Sequence, residues 1–415
     1  MQFEFPESTR EMQRTLRRFM DEQVLPQLEA YERAAADHRW PAEVLEPLKA
    51  KAREAGLWNI FLPGLREDEP GTRLSNLEYA PLAEIMGRVP WAAEVFNCNA
   101  PDTGNMELLH LFATPQQRQR WLQPLMQGEI RSCFCMTEPD VASSDATNIA
   151  TTIRRDGDHY VINGRKWFTT GAMHPNCRLA IVLGVSDESE GAEKHRRHSM
   201  VLVPTDTPGF RVVRDLPIMH HHAPEGHCEV VFDQVRVPVS NLLGEEGAGF
   251  ALAQARLGPG RVHHCMRTIG QCELAMELMC ERALTRRAFG KYLSDFANVQ
   301  DWIAWSRVEI DQARLLVLQA AWKMDTWGNK SAHVDVSAIK LVAARLQTQV
   351  LDRAIQVFGA MGLTSDTPLA YLWSWGRAIH FIDGPDEVHL RGIARAELAR
   401  ARENLGSTAV YYRVA

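Results

Sequence analysis

Toward the C-terminal end the chain reads Phe381-Ile382-Asp383-Gly384-Pro385-Asp386-Glu387-Val388-His389-Leu390, an acidic residue ahead of Gly-Pro after an apolar stretch. Such a stretch can mount a catalytic carboxylate. Phe381 and Ile382 would exclude water from Asp383 and raise its pKa toward the working pH, and Gly384 would let a ligand approach bare backbone. Asp383 is therefore the candidate general base. An acidic helix N-cap is the alternative, because Asp before Gly-Pro-Asp-Glu also starts helices well. A second motif has to decide.

Four further segments have residue types suited to a bound group. Cys135-Met136-Thr137-Glu138-Pro139-Asp140-Val141-Ala142-Ser143-Ser144-Asp145 crowds small hydroxylic residues around a proline turn, where hydroxyls and backbone N–H groups can hold a phosphate or the polar edge of a heterocycle. In Arg165-Lys166-Trp167-Phe168-Thr169-Thr170-Gly171 an aromatic and a hydroxyl lie together beyond an expected hairpin, and such a pair can cover a flat ring and bond its edge. Arg286-Arg287-Ala288-Phe289-Gly290 follows a helical run and either complements a helix dipole or neutralises a diphosphate. Gln356-Val357-Phe358-Gly359-Ala360 ends another helix, with Gly359 either a C-cap or an opening for a ligand.

These segments need elements to position them. From Ser8 to about Gly128 the apolar period is helical. Ser8 and Thr9 ahead of Glu11 read as a cap, Pro41 starts a helix carrying Val44, Leu45, Leu48 and Ala52, and Pro115 starts one carrying Trp121, Leu122, Leu125 and Met126. The texture then turns to strands: Asp156-Gly157 and Asn163-Gly164 are hairpin signals, and Leu179 to Val185, Met200 to Val203, Phe210 to Val213 and Val230 to Val237 are β-like. The charged tract Asp187 to His198 reads as a solvated loop. From Gly249 the helical period returns, with Ile303, Ile310, Val317 and Met324 seven apart and Ile339, Val342, Leu346 and Val350 at three and four. The expected architecture is mainly α with a central β domain: helices over 1–130, strands over 131–243 and a helical bundle over 244–415.

The 415 residues, 45% hydrophobic, exceed what one core usually supports. A net charge of −6 without a basic block argues against nucleic acid or an anionic membrane as the main partner. No apolar run reaches membrane-spanning length and the first residues are acidic where a presequence would be basic, so a cytoplasmic location is expected. Cys133 and Cys135 alternate on one strand face as small buried hydrophobes, and the histidines from His220 to His227 read as a polar loop, so no metal site is expected.

In this order the segments resemble the acyl-CoA dehydrogenase family along essentially the whole chain. Thr137-Glu138-Pro139 with Ser143-Ser144-Asp145 is similar to its first flavin segment, Trp167-Phe168-Thr169 to its Trp-Ile-Thr/Ser segment, Arg286-x-x-Phe289-Gly290 to Arg-x-x-Phe-Gly, and Gln356-x-x-Gly359 to Gln-x-x-Gly-Gly with Ala360 at the second glycine. The base segment and Leu257-Gly258-Pro259-Gly260-Arg261-Val262-His263-His264-Cys265 most resemble the branch of vertebrate members ten and eleven and their bacterial relatives.

The resemblance implies an FAD enzyme with an N-terminal helical domain, a β domain and a C-terminal four-helix bundle that also builds a homodimer or homotetramer. It implies that Thr169 bonds the flavin near N5, Trp167 packs on the ring system, Met136 and Thr137 lie along its edge, and Ser143 or Ser144 meets the diphosphate. Arg286, Phe289, Gln356 and Gly359 would serve the FAD of a neighbouring subunit. The family's adenosine-side glutamine is Ala297 here, with Gln300 as a replacement. The implied reaction is α,β-dehydrogenation of an acyl-CoA, as in fatty-acid β-oxidation, with electrons passed to an electron-transfer flavoprotein. Asp383 would be the base, where most of the family has Glu. Asp is shorter by one C–C bond, roughly 1.5 Å, so backbone or thioester must sit closer. The other position that some relatives use for the base is Gly260, which has no side chain, leaving Arg261 and Gly384 as substrate contacts. A flavin oxidase of the same fold, acting on acyl-CoA or nitroalkanes, is the alternative, and a non-catalytic binding protein a third reading.

Overall fold

The computed structural model describes residues 4–412 apart from 66, 68, 188 and 190–192. Helices lead, among them Glu7–Phe19, Ala42–Glu54, Asn76–Gly87 and Asp102–Phe112. The Ala42–Glu54 helix follows Pro41, buries Val44, Leu45, Leu48 and Ala52 on one stripe, and ends before Gly56 at φ 70°. The Ser8 and Thr9 cap is not formed. The first helix begins at Glu7 after Pro6, with no side-chain cap, and Thr9 lies buried inside it, donating to Glu78 Oε1 at 3.1 Å. Glu78 completes a capping box with Ser75 that starts the Asn76–Gly87 helix.

The strands are β1 Arg131–Cys135, β2 Thr152–Asp156, β3 His159–Thr170, β4 Cys177–Val185, β5 His198–Pro204, β6 Phe210–Asp215 and β7 His227–Pro238. They form one sheet in the order β1-β4-β2-β3-β7-β6, with β5 also paired to β4. β1 runs parallel to β4, and β3 runs antiparallel to both β2 and β7. Cys133 and Cys135 share the buried face of β1 with Ile153, Ile162, Val182 and Val230 around them. Asp156-Gly157 turns β2 into β3 as expected.

Asn163-Gly164 does not turn the chain. β3 continues through it, with a register shift against β7 between Ile162 and Gly164. Asn163 Oδ1 accepts from Gln234 N at 2.8 Å and Gln234 Nε2 at 2.9 Å, and a Cβ on Gly164 would lie 2.3 Å from Thr151 Oγ1. The dipeptide that signals a hairpin is here a bulge whose glycine makes room for a neighbouring side chain. Of the tract from Asp187 to His198, residues 188 and 190–192 lie outside the described residues, and His198 opens β5. Among the described residues no group of three or more His, Cys, Asp or Glu is placed to hold a metal, and no helix is long and apolar enough to cross a membrane.

The chain divides into two compact units, Met1–Gln271 and Cys272–Ala415, the division falling inside the Gly249–Thr285 helix. In the second unit the His333–Phe358 helix packs against Ala297–Trp327, Leu369–Ile379 and Asp386–Glu403. Ile310, Val317, Met324, Ile339, Leu346 and Val350 are buried, whereas Val342 is 36% exposed and stands off the stripe. A Cβ on Gly376 would meet Gln347 Cγ at 2.9 Å, so the Leu369–Ile379 helix approaches its neighbour at a glycine, and Gln347 Nε2 closes the contact on Leu372 O at 2.9 Å.

Candidate active site

In the first unit Lys166, fully buried on β3, donates from Nζ to Met136 O and to Glu138 Oε1, each at 2.8 Å. Trp167 N donates to Thr137 O at 3.0 Å. These bonds hold Met136 and Thr137 beside Trp167, residues that are some thirty positions apart in the chain. Glu138 also accepts from Ala150 N and Thr151 N at 2.8 Å. Burial pushes its carboxyl up, but the Lys166 ammonium and the hydrogen bonds outweigh this and hold it below the ordinary 4.5.

The pairing of β3 with β7 slips again between Lys166 and Thr169, and Phe168 takes the left-handed φ of 49°. A bulge re-aims the side chains around it. Thr169 is fully buried, and its Oγ1 and the buried Nε1 of Trp167 have no hydrogen-bond partner among the described residues. A buried donor left unmet costs about 1–3 kcal/mol. Two such groups two residues apart on one bulged strand are suited to the polar edge of a ring, which fits the flavin that the resemblance implies. Thr170 is held on its other side by His227 Nδ1 at 2.9 Å.

The two serines are separated by their bonds. Ser143 Oγ accepts from Glu138 N at 2.9 Å and so closes the proline turn. Ser144 is exposed, and its hydroxyl has no partner among the described residues.

In the second unit Asp383 is half-buried in the turn between the last two helices, at φ 56°, with Gly384 at φ 102°. It is not the cap: Pro385 holds the N-cap position of Asp386–Glu403, with no side-chain cap bond. The screen expected of its apolar neighbours is only partial, since Phe381 is 61% exposed and its ring lies 4.6 Å from the Arg377 guanidinium. Arg286 is exposed beside a small hairpin, Arg287–Ala288 with Lys291–Tyr292, whose Phe289-Gly290 loop has φ of 50° and 83°. That geometry presents Phe289 at 97% exposure. Gly359 ends the His333–Phe358 helix at φ 67°, as a C-cap does, and both it and Gln356 are exposed. Gln300 Nε2 is engaged by Ser294 O at 2.8 Å.

On the Gly249–Thr285 helix, Arg261 is half-buried and a Cβ on Gly260 would meet nothing within 4 Å. Two residues on, His263 is 2% exposed between the rings of Phe61 and Tyr79, and neither ring nitrogen has a hydrogen-bond partner among the described residues. Burial, with Arg267 and His264 adding to it, pushes the imidazole down to about 3. The unfolded chain then binds the extra proton between pH 6.5 and about 3, so this residue removes stability as pH falls below 6.5. His263→Phe should flatten that decline by up to about 1.4 kcal/mol per pH unit. Urea midpoints of the two proteins from pH 7.5 to 4.5 check this, and parallel curves would contradict it.

Sequence reasoning passed over Lys166 and its pairing with Glu138. The signal was present in a lysine directly before the aromatic pair, on a strand position that faces inward. It also passed over the buried cluster in which Arg131 pairs with Glu94 at 2.6 Å and Asp102 at 2.9 Å, with Asp102 accepting from Ser132 N at 2.7 Å. This cluster ties β1 to the preceding helices.

Models of the acyl-CoA dehydrogenase N-terminal, middle and C-terminal domains match residues 6–129, 133–235 and 247–398. The chain is 57% identical over 380 residues to the Mycobacterium tuberculosis protein called probable acyl-CoA dehydrogenase FadE2, covering 91% of each. It is 50% identical over 357 residues to human acyl-CoA dehydrogenase family member 11, covering 86% of this chain and 45% of that protein, so it spans about half the length of the vertebrate relatives it matches. A solved structure from Mycobacterium abscessus, called a putative acyl-CoA dehydrogenase, superposes with a TM-score of 0.90 at 50% identity over 96% of this chain and 100% of that one.

Proposed function

The chain belongs to the acyl-CoA dehydrogenase family, and on that premise we propose that it is an FAD-dependent dehydrogenase converting an acyl-CoA to the 2-enoyl-CoA, with an electron-transfer flavoprotein as acceptor. The observation that carries the flavin assignment is the buried, unpartnered pair of Thr169 Oγ1 and Trp167 Nε1 on β3. Met136 and Thr137 line the same edge, because Lys166 and the Trp167 backbone hold them there. Ser144 is the serine for the diphosphate, since the Ser143 hydroxyl is spent on its own turn. Arg286, Phe289, Gln356 and Gly359, all exposed, serve the FAD of a neighbouring subunit in a homo-oligomer. FAD, when bound, supplies the hydride acceptor.

What the protein's own groups must do is make an α-C–H acidic. Asp383 takes the α-proton, and its backbone N–H donates to the thioester oxygen as enolate charge develops there. Gly384 leaves the acyl-CoA room at the turn, and Arg261 serves it from the long helix. Gly260 supplies no second carboxylate.

An acceptor comparison tests the function. Turnover with an electron-transfer flavoprotein or an artificial dye should be fast, and oxygen consumption with the same acyl-CoA slow, because a bound product excludes oxygen from the site. Rapid stoichiometric peroxide release, or activity on nitroalkanes above that on every acyl-CoA, would move the assignment to an oxidase of the same fold.

A further inference from the structure

The turn that carries Asp383 is strained and held. A non-glycine residue at φ 56° costs energy that the surroundings must offset, and here the next residue, Gly384, is also left-handed at 102°. Beneath the turn lies Lys340 of the His333–Phe358 helix, 1% exposed. Its ammonium donates to the carbonyl of Ile379, four residues before Asp383, and to that of Gly384 at 3.3 Å, one residue after it. A second tie closes the same turn: His380 Nδ1 meets Asp386 Oδ2 at 2.6 Å, and Asp386 N donates to His380 O at 3.2 Å.

Ile379 closes the Leu369–Ile379 helix, whose last carbonyls need a donor, but Gly384 lies beyond that helix in the turn itself. An aliphatic side chain would fill the same space without the desolvation that a charge incurs. What the lysine adds is a compact donor that reaches carbonyls on both sides of one residue.

We propose that Lys340 is a positioning residue for the base: its ammonium, assisted by the His380–Asp386 tie, fixes the left-handed turn that aims the Asp383 carboxylate at the α-proton. The inference rests on the reading of Asp383 as base. A misplacement of about 1 Å at a reacting group can lower a rate about 10²-fold.

The test is hydrogen–deuterium exchange at the α-carbon of a 3-thia-acyl-CoA on the FAD-loaded protein, read by NMR. This ligand has acidic α-hydrogens and no β-hydrogen to lose, so the readout is proton removal alone. Lys340→Met should keep its FAD content and its affinity for the ligand while exchange falls about 10- to 100-fold, and Lys340→Arg, which restores a donor, should recover part of the loss. Asp386→Ala, which removes the side-chain acceptor of the tie without touching the lysine, should lose several-fold. Exchange within twofold of wild type in Lys340→Met overturns the proposal, as does a loss of exchange that merely follows loss of FAD or ligand binding. Should Lys340→Met not fold, wild-type exchange in Asp386→Ala overturns it instead. Failure of the base reading is distinguishable, because Asp383→Asn would then also exchange normally.

Discussion

Asp383→Asn is expected to fold, to keep FAD and to lose flavin bleaching by acyl-CoA about 10²- to 10⁴-fold, the range over which a general base contributes. The amide has the size of the carboxylate but cannot take a proton from carbon. Fold and cofactor should survive because Lys340 and the His380–Asp386 tie hold the turn and Pro385, not Asp383, takes the helix N-cap position. Stopped-flow bleaching under anaerobic conditions measures the loss. A variant that bleaches near the wild-type rate removes Asp383 from the mechanism, and one that purifies colourless assigns it a structural role.

Lys166→Met should be the most destabilising single change near the flavin strand. It leaves Glu138, 5% exposed, as a buried carboxylate without its cation, and breaking one side of such a pair costs about 3–5 kcal/mol. It also frees Met136 O, so the segment beside Trp167 loosens and FAD affinity should fall with stability. The double variant Lys166→Met/Glu138→Gln removes both charges and should recover most of the loss. The pH sign follows from Glu138, whose folded pKa is depressed: the pair's contribution is present above about 4.5 and is lost as pH falls through the lower, folded value. Urea denaturation of the three proteins at pH 7 decides, and a single variant within 1 kcal/mol of wild type, below the range above, would contradict the account.

The sequence made the order of elements and the chemical segments readable because periodicity and residue type are local. Trp167, Thr169, Asp383 and the Arg286 segment could be singled out without knowing the fold. What stayed hidden depends on partners distant in the chain. Asn163-Gly164 has hairpin chemistry, yet β7 pairs on both sides of it, and Thr151 rather than a turn explains the glycine. Ser8 and Thr9 have cap chemistry, yet Thr9 is inside the helix and bonded to Glu78. The choice between Ser143 and Ser144 depends on which hydroxyl the turn uses. Lys340 reads as one more charged position on a helix, and the carbonyls of Ile379 and Gly384 that its ammonium reaches lie 39 and 44 positions further on. Phe381 was expected to shield the carboxylate, but it lies in the turn after the Leu369–Ile379 helix and is largely exposed, its ring against the Arg377 guanidinium.

The central claim, that FAD held by this chain takes electrons from an acyl thioester, is tested most directly by anaerobic titration of the purified, FAD-loaded protein with acyl-CoAs of graded length and branching. The flavin absorbance should bleach with at least one of them, and one 2-enoyl-CoA should form per FAD reduced. A protein that binds no FAD, or whose FAD is bleached by nitroalkanes and by no acyl-CoA, would contradict it.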